Sequence, residues 1–530
     1  MLKKISVIAI CLAFLCGTAM AQDAKTVIAN AQKALGDVKS ITYSGSGRNV
    51  SFQQCGGNSV HPTCDGIHDP MRPINNYVRV IDLTAPLSRA TGATMNFVGG
   101  GGSTTIGPGN FNQSITAQQA DASQTWTSNS LELYITPWGF LKGAAANNAT
   151  VSKRKVDGKN YTVLTWSPGK KADSGKSYVV NGYVNEKNIV DRVETWLADN
   201  IMGDMHILAV YSGWKDFGGV MAPAKIVQTR GGWPYFEVTV TAAKANPPDL
   251  ATLAVPPPAP PRGGGGAGAP PANAAAGGPP RGAAPAAGAP APPAGGAPGG
   301  GRGAAPAMVV TSEKLGDGLY RLTTGNGSYD SVIVEFNTYV MMLEAGQSTA
   351  RGEAYIAETK KLFPNKPIRY VMNTHPHSDH TGGLPALVAE GATIITQKNN
   401  EEFLENALNT PRTLLSPDTD RLAKTPMKAK VEAVGEKKVY SDGTRTVEMY
   451  HIAGAPHSNG LLVAYIPKEK ILFQGDFSLP TMPGEAANDH IKALVPVLEK
   501  LKVVDFDRYI NVHASAAPQS KAELWKAVGK

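Results

Sequence analysis

Hydrophobic positions along this chain change their period several times, and each change marks a different kind of element. An apolar run from Ile5 to Cys16, with Ser6 inside it, follows Lys3 and Lys4 and precedes Ala19-Met20-Ala21. A charged pair, a short apolar stretch and a small-residue cleavage site predict a secretory signal peptide over residues 1–21. A membrane span needs about 20 apolar residues, so no stable transmembrane anchor is expected. From Asp23 onward, Val27, Ile28, Ala31 and Leu35 share one helical face, and Gly36 is placed to end that helix. Period-two alternation then predicts strands at Ser40–Tyr43, Leu131–Ile135, Tyr161–Trp166, Ile207–Tyr211, Ala224–Gln228 and Phe236–Thr241. Turn signals at Pro137-Trp138-Gly139, Gly218-Gly219 and Gly231-Gly232 separate them. Short strands behind one helix predict a curved antiparallel sheet for residues 22–250.

The pattern then stops. From Val255 to Met308 the chain is almost wholly Pro, Gly and Ala, with Arg262, Arg281 and Arg302 and no acidic residue. Such a segment buries too little apolar surface to offset its ordering entropy, so residues 251–308 are expected to be a disordered tether. Patterning resumes with strand-like runs at Pro367–Met372, Val447–His451, Leu461–Ile466, Ile471–Asp476 and Tyr509–Val512, and a helix start at Leu384. The chain therefore divides into two folded regions, 22–250 and 309–530.

Charge and cysteine content add two constraints. The formal net charge of +8 includes Lys3 and Lys4 of the leader and the three dispersed tether arginines, which leaves a modest surplus on the folded parts. Lys153-Arg154-Lys155 and the pair Lys428 and Lys430 are solvated turns and not a nucleic-acid footprint. With the leader removed only Cys55 and Cys64 remain, and Gly56, Gly57 and Pro62 between them suit a small disulfide loop in an oxidising compartment. Periplasmic or secreted location is the expectation.

The chemistry concentrates at residues 375–380, His-Pro-His-Ser-Asp-His. His375 and His377, two apart on extended chain, project to the same side and can grip one metal. Asp379 and His380 follow as the chain turns toward Thr381-Gly382-Gly383. Imidazole with carboxylate suits zinc or iron, not an all-oxygen calcium or magnesium site. Ligands at a strand-to-loop junction stay open to solvent, as a catalytic metal requires. Three more ligand-type residues follow beside strand-like runs: His457 in Gly454–Gly460, Asp476 after Gly475, and His513 after Val512.

With that series complete, residues 309–530 resemble the metallo-β-lactamase-fold superfamily, which includes glyoxalase II-like thioesterases, lactonases and β-lactamases. The resemblance implies an αβ/βα sandwich and two zinc ions. His375, His377 and His457 would hold the first, and Asp379, His380 and His513 the second, with Asp476 bridging them. No Cys follows Cys64, so the thiolate-ligand β-lactamase type is excluded. Two departures stand out. Glu344, in Met342-Leu343-Glu344-Ala345-Gly346, replaces the usual Asp that buttresses the metal loop, and Val512-His513-Ala514-Ser515 lacks flanking glycines. The activity implied is metal-assisted hydrolysis of an ester, thioester, lactone or β-lactam, in which bound water falls from a pKa of about 15.7 to near 7. Asp379 or Asp476 would accept its proton. Sulfur dioxygenases of the same superfamily make a mono-iron oxidoreductase the alternative, and a ligand-delivery protein with a structural metal the third reading.

Of the ten histidines, His451 reads as a strand residue and His490, before Ile491, as a surface residue rather than a substrate contact. His61, His68 and His206 stand apart from the cluster. Asn459 reads as a turn residue rather than an oxyanion donor. The stretch Trp214–Pro223, followed by Pro234–Val240 and Ala245-Asn246-Pro247, resembles the periplasmic lipoprotein carrier fold. That resemblance implies a half-barrel with helices on its concave face, either filled by core or holding an apolar ligand.

Overall fold

The computed structural model describes residues 23–50, 71–97, 106–250, 308–324, 329–480, 487–513 and 517–530. The expected signal peptide, the expected disulfide loop Cys55–Cys64 with His61, the nearby His68, and the expected tether up to residue 307 lie outside the described residues.

The N-terminal region is one curved antiparallel sheet of eleven strands. Its spatial order is Ile106–Ile115, Leu87–Phe97, Arg72–Asp82, Ser40–Asn49, Trp233–Ala245, Lys225–Arg230, Gly203–Ser212, Val190–Asp199, Val180–Val184, Lys159–Trp166, Thr150–Val156. The helix over 23–35 forms as its spacing predicts, and Gly36 ends it at φ +94°, a conformation that suits glycine. Two further helices, Ser128–Tyr134 and Pro137–Ala146, pack on the sheet over an aromatic core that includes Tyr43, Tyr77, Trp126, Trp138, Trp166 and Phe236.

These helices correct two expectations. Leu131–Ile135 is helical, not a strand: Ser130 through Tyr134 are all buried, so no polar face remains to reveal a 3.6-residue period. Pro137-Trp138-Gly139 opens a helix instead of making a turn. Thr136 caps it by accepting from the Gly139 N–H at 3.1 Å, and Pro137 takes the first position, where a missing N–H costs nothing. The expected single helix is therefore three among the described residues.

The C-terminal region is a sandwich of two sheets. The first runs Val310–Gly316, Leu319–Thr324, Asp330–Glu335, Val340–Leu343, Ile368–Met372, Thr393–Gln397, Lys430–Val434, antiparallel at first and parallel from Val340 onward. The second runs Lys437–Ser441, Thr446–His451, Leu462–Ile466, Ile471–Gln474, Arg508–Asn511, Gln519–Ser520. A core of Val332, Met341, Leu343, Met372, Met449, Phe473 and Ile510 fills the space between them. Helices cover the outer faces, with Thr349–Leu362, Leu384–Ala389 and Glu401–Asn409 on one side and Asp489–Lys500 and Lys521–Ala527 on the other. Parallel strands buried on both faces account for their continuous apolar runs.

The two regions touch beside the His-rich loop. Asn200, at a turn of the N-terminal sheet, donates to the Gly382 carbonyl at 2.8 Å and accepts from the Thr349 hydroxyl at 2.6 Å. Arg412 reaches back to the Asn200 carbonyl at 2.6 Å, and Asp204 accepts from the N–H groups of Thr413 and Leu414. Among the described residues, no helix is long and apolar enough to cross a membrane.

Candidate metal centre

The hexapeptide leaves the end of strand Ile368–Met372 and enters a short helix, Ser378–Thr381. Asn373, fully buried, ties the loop into shape by donating to the carbonyls of His375 (2.8 Å) and His380 (3.2 Å). The Leu462 N–H donates to the Thr374 carbonyl at 2.8 Å, which joins the loop to the second sheet. Glycine is required at 382 and 383 because a Cβ there would lie 2.1 Å from the carbonyl oxygens of Gln347 and Ala345. That close approach presses the loop onto the segment carrying Glu344.

All seven sequence-identified residues meet. His375, His377, His457 and Asp476 form one group, and Asp379, His380 and His513 a second; within each group the ligand-type atoms lie within 4.8 Å of one another. Asp476 faces both. Its Oδ2 is 2.8 Å from His457 Nε2 and 3.6 Å from His375 Nε2, while its Oδ1 is 3.0 Å from His380 Nε2 and 2.9 Å from His513 Nε2. His457 Nε2 and His375 Nε2 confront each other at 3.1 Å. Ligands about 2.0–2.1 Å from a tetrahedral centre stand about 3.3 Å apart, and the separations in the first group bracket that value. His380 Nε2 and Asp476 Oδ1 are buried without an aligned hydrogen-bond partner, an arrangement a cation between them would satisfy. The donor set fits a metal.

The electrostatics agree. Burial, then the neighbouring imidazoles, hold His375 and His377 far below the ordinary histidine range, so both are neutral imidazoles, the form that coordinates a metal. Burial works against a charge on Asp476, but His380, His457 and His375 outweigh it and keep the carboxyl well below its usual range. Burial likewise opposes charge on His380, yet Asp476 and Asp379 lift it well above the ordinary value.

Glu344 replaces the expected Asp by changing its backbone. It sits at φ +74°, strained for a residue with a side chain, and is fully buried. Its Oε2 accepts from the Thr374 hydroxyl at 2.6 Å and lies 3.3 Å from His380 Nδ1, while Oε1 accepts from the Ala345 N–H at 3.2 Å. The left-handed turn absorbs the extra methylene, and the carboxylate still orients His380.

His490 corrects the surface reading. It is 3% exposed, and its ring stands edge-on to His457 with centroids 4.8 Å apart. Burial first, then His457, lowers its pKa to about 4, so it is a neutral wall of the site. His451 is a buried strand residue with Nε2 2.9 Å from the Asn459 carbonyl, and Asn459 lies in a turn, both as expected. His206 pairs with Glu194 at 3.1 Å, far from the cluster in sequence and on the N-terminal sheet. Asn373 and Tyr329, which touches Asp379, escaped the sequence reading; neither belongs to a ligand type.

Sandwich and ligand set define a metal-binding enzyme fold, that of the metallo-β-lactamases. Residues 324–519 match the model of the Metallo-beta-lactamase superfamily. A curated relative, 2,4-dinitroanisole O-demethylase subunit alpha of Nocardioides sp. (strain JS1661), is 24% identical over 213 residues, 39% of this chain. The match spans 60% of that relative's length. Similar solved structures include a metallo-beta-lactamase from Pontibacter korlensis, 17% identical with a TM-score of 0.32, covering 42% of this chain and 97% of that one. A flavo di-iron protein mutant from Thermotoga maritima is 15% identical with a TM-score of 0.31, covering 42% of this chain and 61% of that one.

Proposed function

We propose that residues 309–530 form a zinc-dependent hydrolase domain with two metal positions, carried on a chain exported to the periplasm or secreted through the 1–21 leader. His375, His377 and His457 would hold the first ion, Asp379, His380 and His513 the second, and Asp476 both. The observation that supports this reading is the division of Asp476, one oxygen toward each group. When bound, the ions lower the pKa of water toward about 7 and polarise the attacked carbonyl.

The protein's own groups do the rest. Burial keeps His375 and His377 neutral. Asp476 is committed to four imidazoles, whereas the Asp379 side chain is 29% exposed. Asp379 is therefore the carboxylate placed to take the proton from the attacking water. His490 presents an uncharged imidazole beside His457. The substrate is a small ester, thioester, lactone or β-lactam. The relative named an O-demethylase adds an activated aryl methyl ether to the classes worth assaying.

Metal analysis of the full chain, followed by assays on those substrates, tests the proposal. Two zinc ions per chain with turnover of one class is the expected result. One iron per chain with oxygen uptake transfers the site to the oxidoreductase reading. Full metal occupancy without turnover, with a function that survives His377→Ala, transfers it to ligand delivery; the opening of about 870 Å³ lined by Leu35, Val38, Leu83, Trp138 and Lys142 is where an apolar ligand would enter the N-terminal region.

A further inference from the structure

We propose that Tyr329 is the positioning residue of the second metal position, an inference that rests on the two-position reading above. Tyr329 contributes no metal-ligand atom, yet it touches every member of the second group. Its hydroxyl donates to Asp379 Oδ2 at 2.9 Å. Its ring lies 4.8 Å from that of His513 and 6.3 Å from that of His380, centroid to centroid.

The contact matters because the second group is the looser one. His375 and His377 of the first group have at most 3% exposure, so their rings are enclosed by the protein. Asp379 and His513 have side chains 29% and 33% exposed. Asp379 rides on a helix of a single turn, Ser378–Thr381. A carboxylate there would turn about its terminal bond unless something selected one oxygen. Tyr329 selects Oδ2, the atom 3.5 Å from His380 Nε2 and 3.6 Å from His513 Nε2. The hydroxyl therefore aims the oxygen that faces the second position, and the ring limits the swing of His513.

Tyr329 is itself held from three sides. Its carbonyl accepts from the Tyr355 hydroxyl at 2.8 Å. The Arg351 guanidinium sits 4.5 Å from its ring centre, a cation–π contact in a buried setting. The next residue, Asp330, donates its N–H to the Val512 carbonyl at 2.7 Å, and Val512 donates to the Gln474 carbonyl at 3.0 Å. Those bonds tie the tyrosine to the strands that present His513 and Asp476.

Removing the hydroxyl has two opposed effects. It removes one restraint on the orientation of Asp379, which weakens the second position, and it returns negative charge to Oδ2, which strengthens it. Outer partners of metal ligands are worth about 10–100-fold in affinity, and orientation is the larger effect for a carboxylate this exposed. The test is zinc titration of the full-length protein against a chromophoric chelator, repeated with cobalt to read the visible absorption of each equivalent. In Tyr329→Phe the second equivalent should bind about 10-fold more weakly or worse, with an altered cobalt spectrum. The first equivalent should bind as in the parent, which also reports an intact fold. Tyr329→Ala, lacking the ring as well, should weaken the second equivalent further. Unchanged or tighter binding of the second equivalent in Tyr329→Phe, or equal weakening of both, overturns the role of Tyr329 while leaving two positions standing. A parent protein that saturates at one equivalent overturns the two-position reading and the positioning role with it.

Discussion

Two buried polar clusters, one in each half of the molecule, obey opposite rules. In the N-terminal sheet, Arg79 is 3% exposed and its guanidinium is spent within the chain. It donates to Tyr77 Oη (2.8 Å), Ser88 Oγ (2.8 Å), the Glu132 carbonyl (3.1 Å), Gln113 Oε1 (2.8 Å) and Glu132 Oε2 (2.7 Å). In the sandwich, His375, His377 and His380 are buried just as deeply, but with Asp476 they aim ring nitrogens and carboxylate oxygens at common points. A closed cluster is architecture, because each polar group offsets the burial cost of another. An open one is built at a cost that only a cation recovers.

Breaking the closed cluster should produce the largest stability effect. Glu132→Ala leaves Arg79 charged and buried without its carboxylate, which should cost about 3–5 kcal/mol in denaturant unfolding. Metal content of the surviving folded protein should not change. An Arg79→Met, Glu132→Leu double variant should recover much of the loss, and failure to recover would mean the pair does more than close on itself.

The open cluster should respond the other way. His375→Ala removes an imidazole whose Nδ1 lies 3.0 Å from the Thr374 hydroxyl, a neutral hydrogen bond, so the metal-free protein should lose only about 1 kcal/mol from the polar contact itself. Metal content and turnover should collapse, turnover by more than about 100-fold, which exceeds the usual effect of losing an outer partner. Calorimetry with and without chelator, beside metal analysis, checks both halves. A metal-free variant as damaged as Glu132→Ala would erase the contrast between the clusters.

Glu344 lies between the extremes, since it closes hydrogen bonds and also orients a ligand. Glu344→Gln keeps the size but cannot serve Thr374 and His380 with the same charge, and metal affinity should fall about 10–100-fold. Glu344→Gly would relieve the backbone strain and still lose the orientation. If the glycine variant bound metal as tightly as the parent, the carboxylate would be irrelevant and only the turn would matter.

How much of this was legible in the sequence follows from the range of the interactions involved. Ligand identity is a local property, so the hexapeptide and the series His457, Asp476, His513 could be read directly, as could the strands that carry them. Glu344 was visible as a departure, although its left-handed backbone was not. Tyr329 and Asn200 act through contacts between segments far apart in the chain, Asn373 through carbonyls two and seven residues on, and no local pattern distinguishes them from ordinary polar residues. His490 was misread because polar Asn488 and Asp489 before it suggest solvent, whereas Asn488 caps the helix and turns His490 inward. Leu131–Ile135 alternates as a strand does, and the cap that starts its helix, Thr127 with Ser130, lies upstream of that alternation.

The smallest predicted effect belongs to a third cluster, closed but half open to water. Glu194 accepts from Tyr183 Oη (2.7 Å) and Asn181 Nδ2 (2.9 Å) and sits 3.1 Å from His206 Nε2. Burial works against its charge, but the hydrogen bonds from His206, Tyr183 and Asn181 prevail and lower its pKa to about 2. An unfolded glutamate titrates near 4.3. Between those values the unfolded state binds the proton and the folded state does not, so the stability this group supplies is complete above the unfolded value and is lost as pH falls toward 2. Partial solvent exposure reduces the contribution to on the order of 1 kcal/mol. Glu194→Gln should therefore melt below the parent at neutral pH, with the gap closing as both are acidified below about pH 4. A gap that stays constant through that window would mean the three hydrogen bonds, not the charge, are what the sheet depends on at this position.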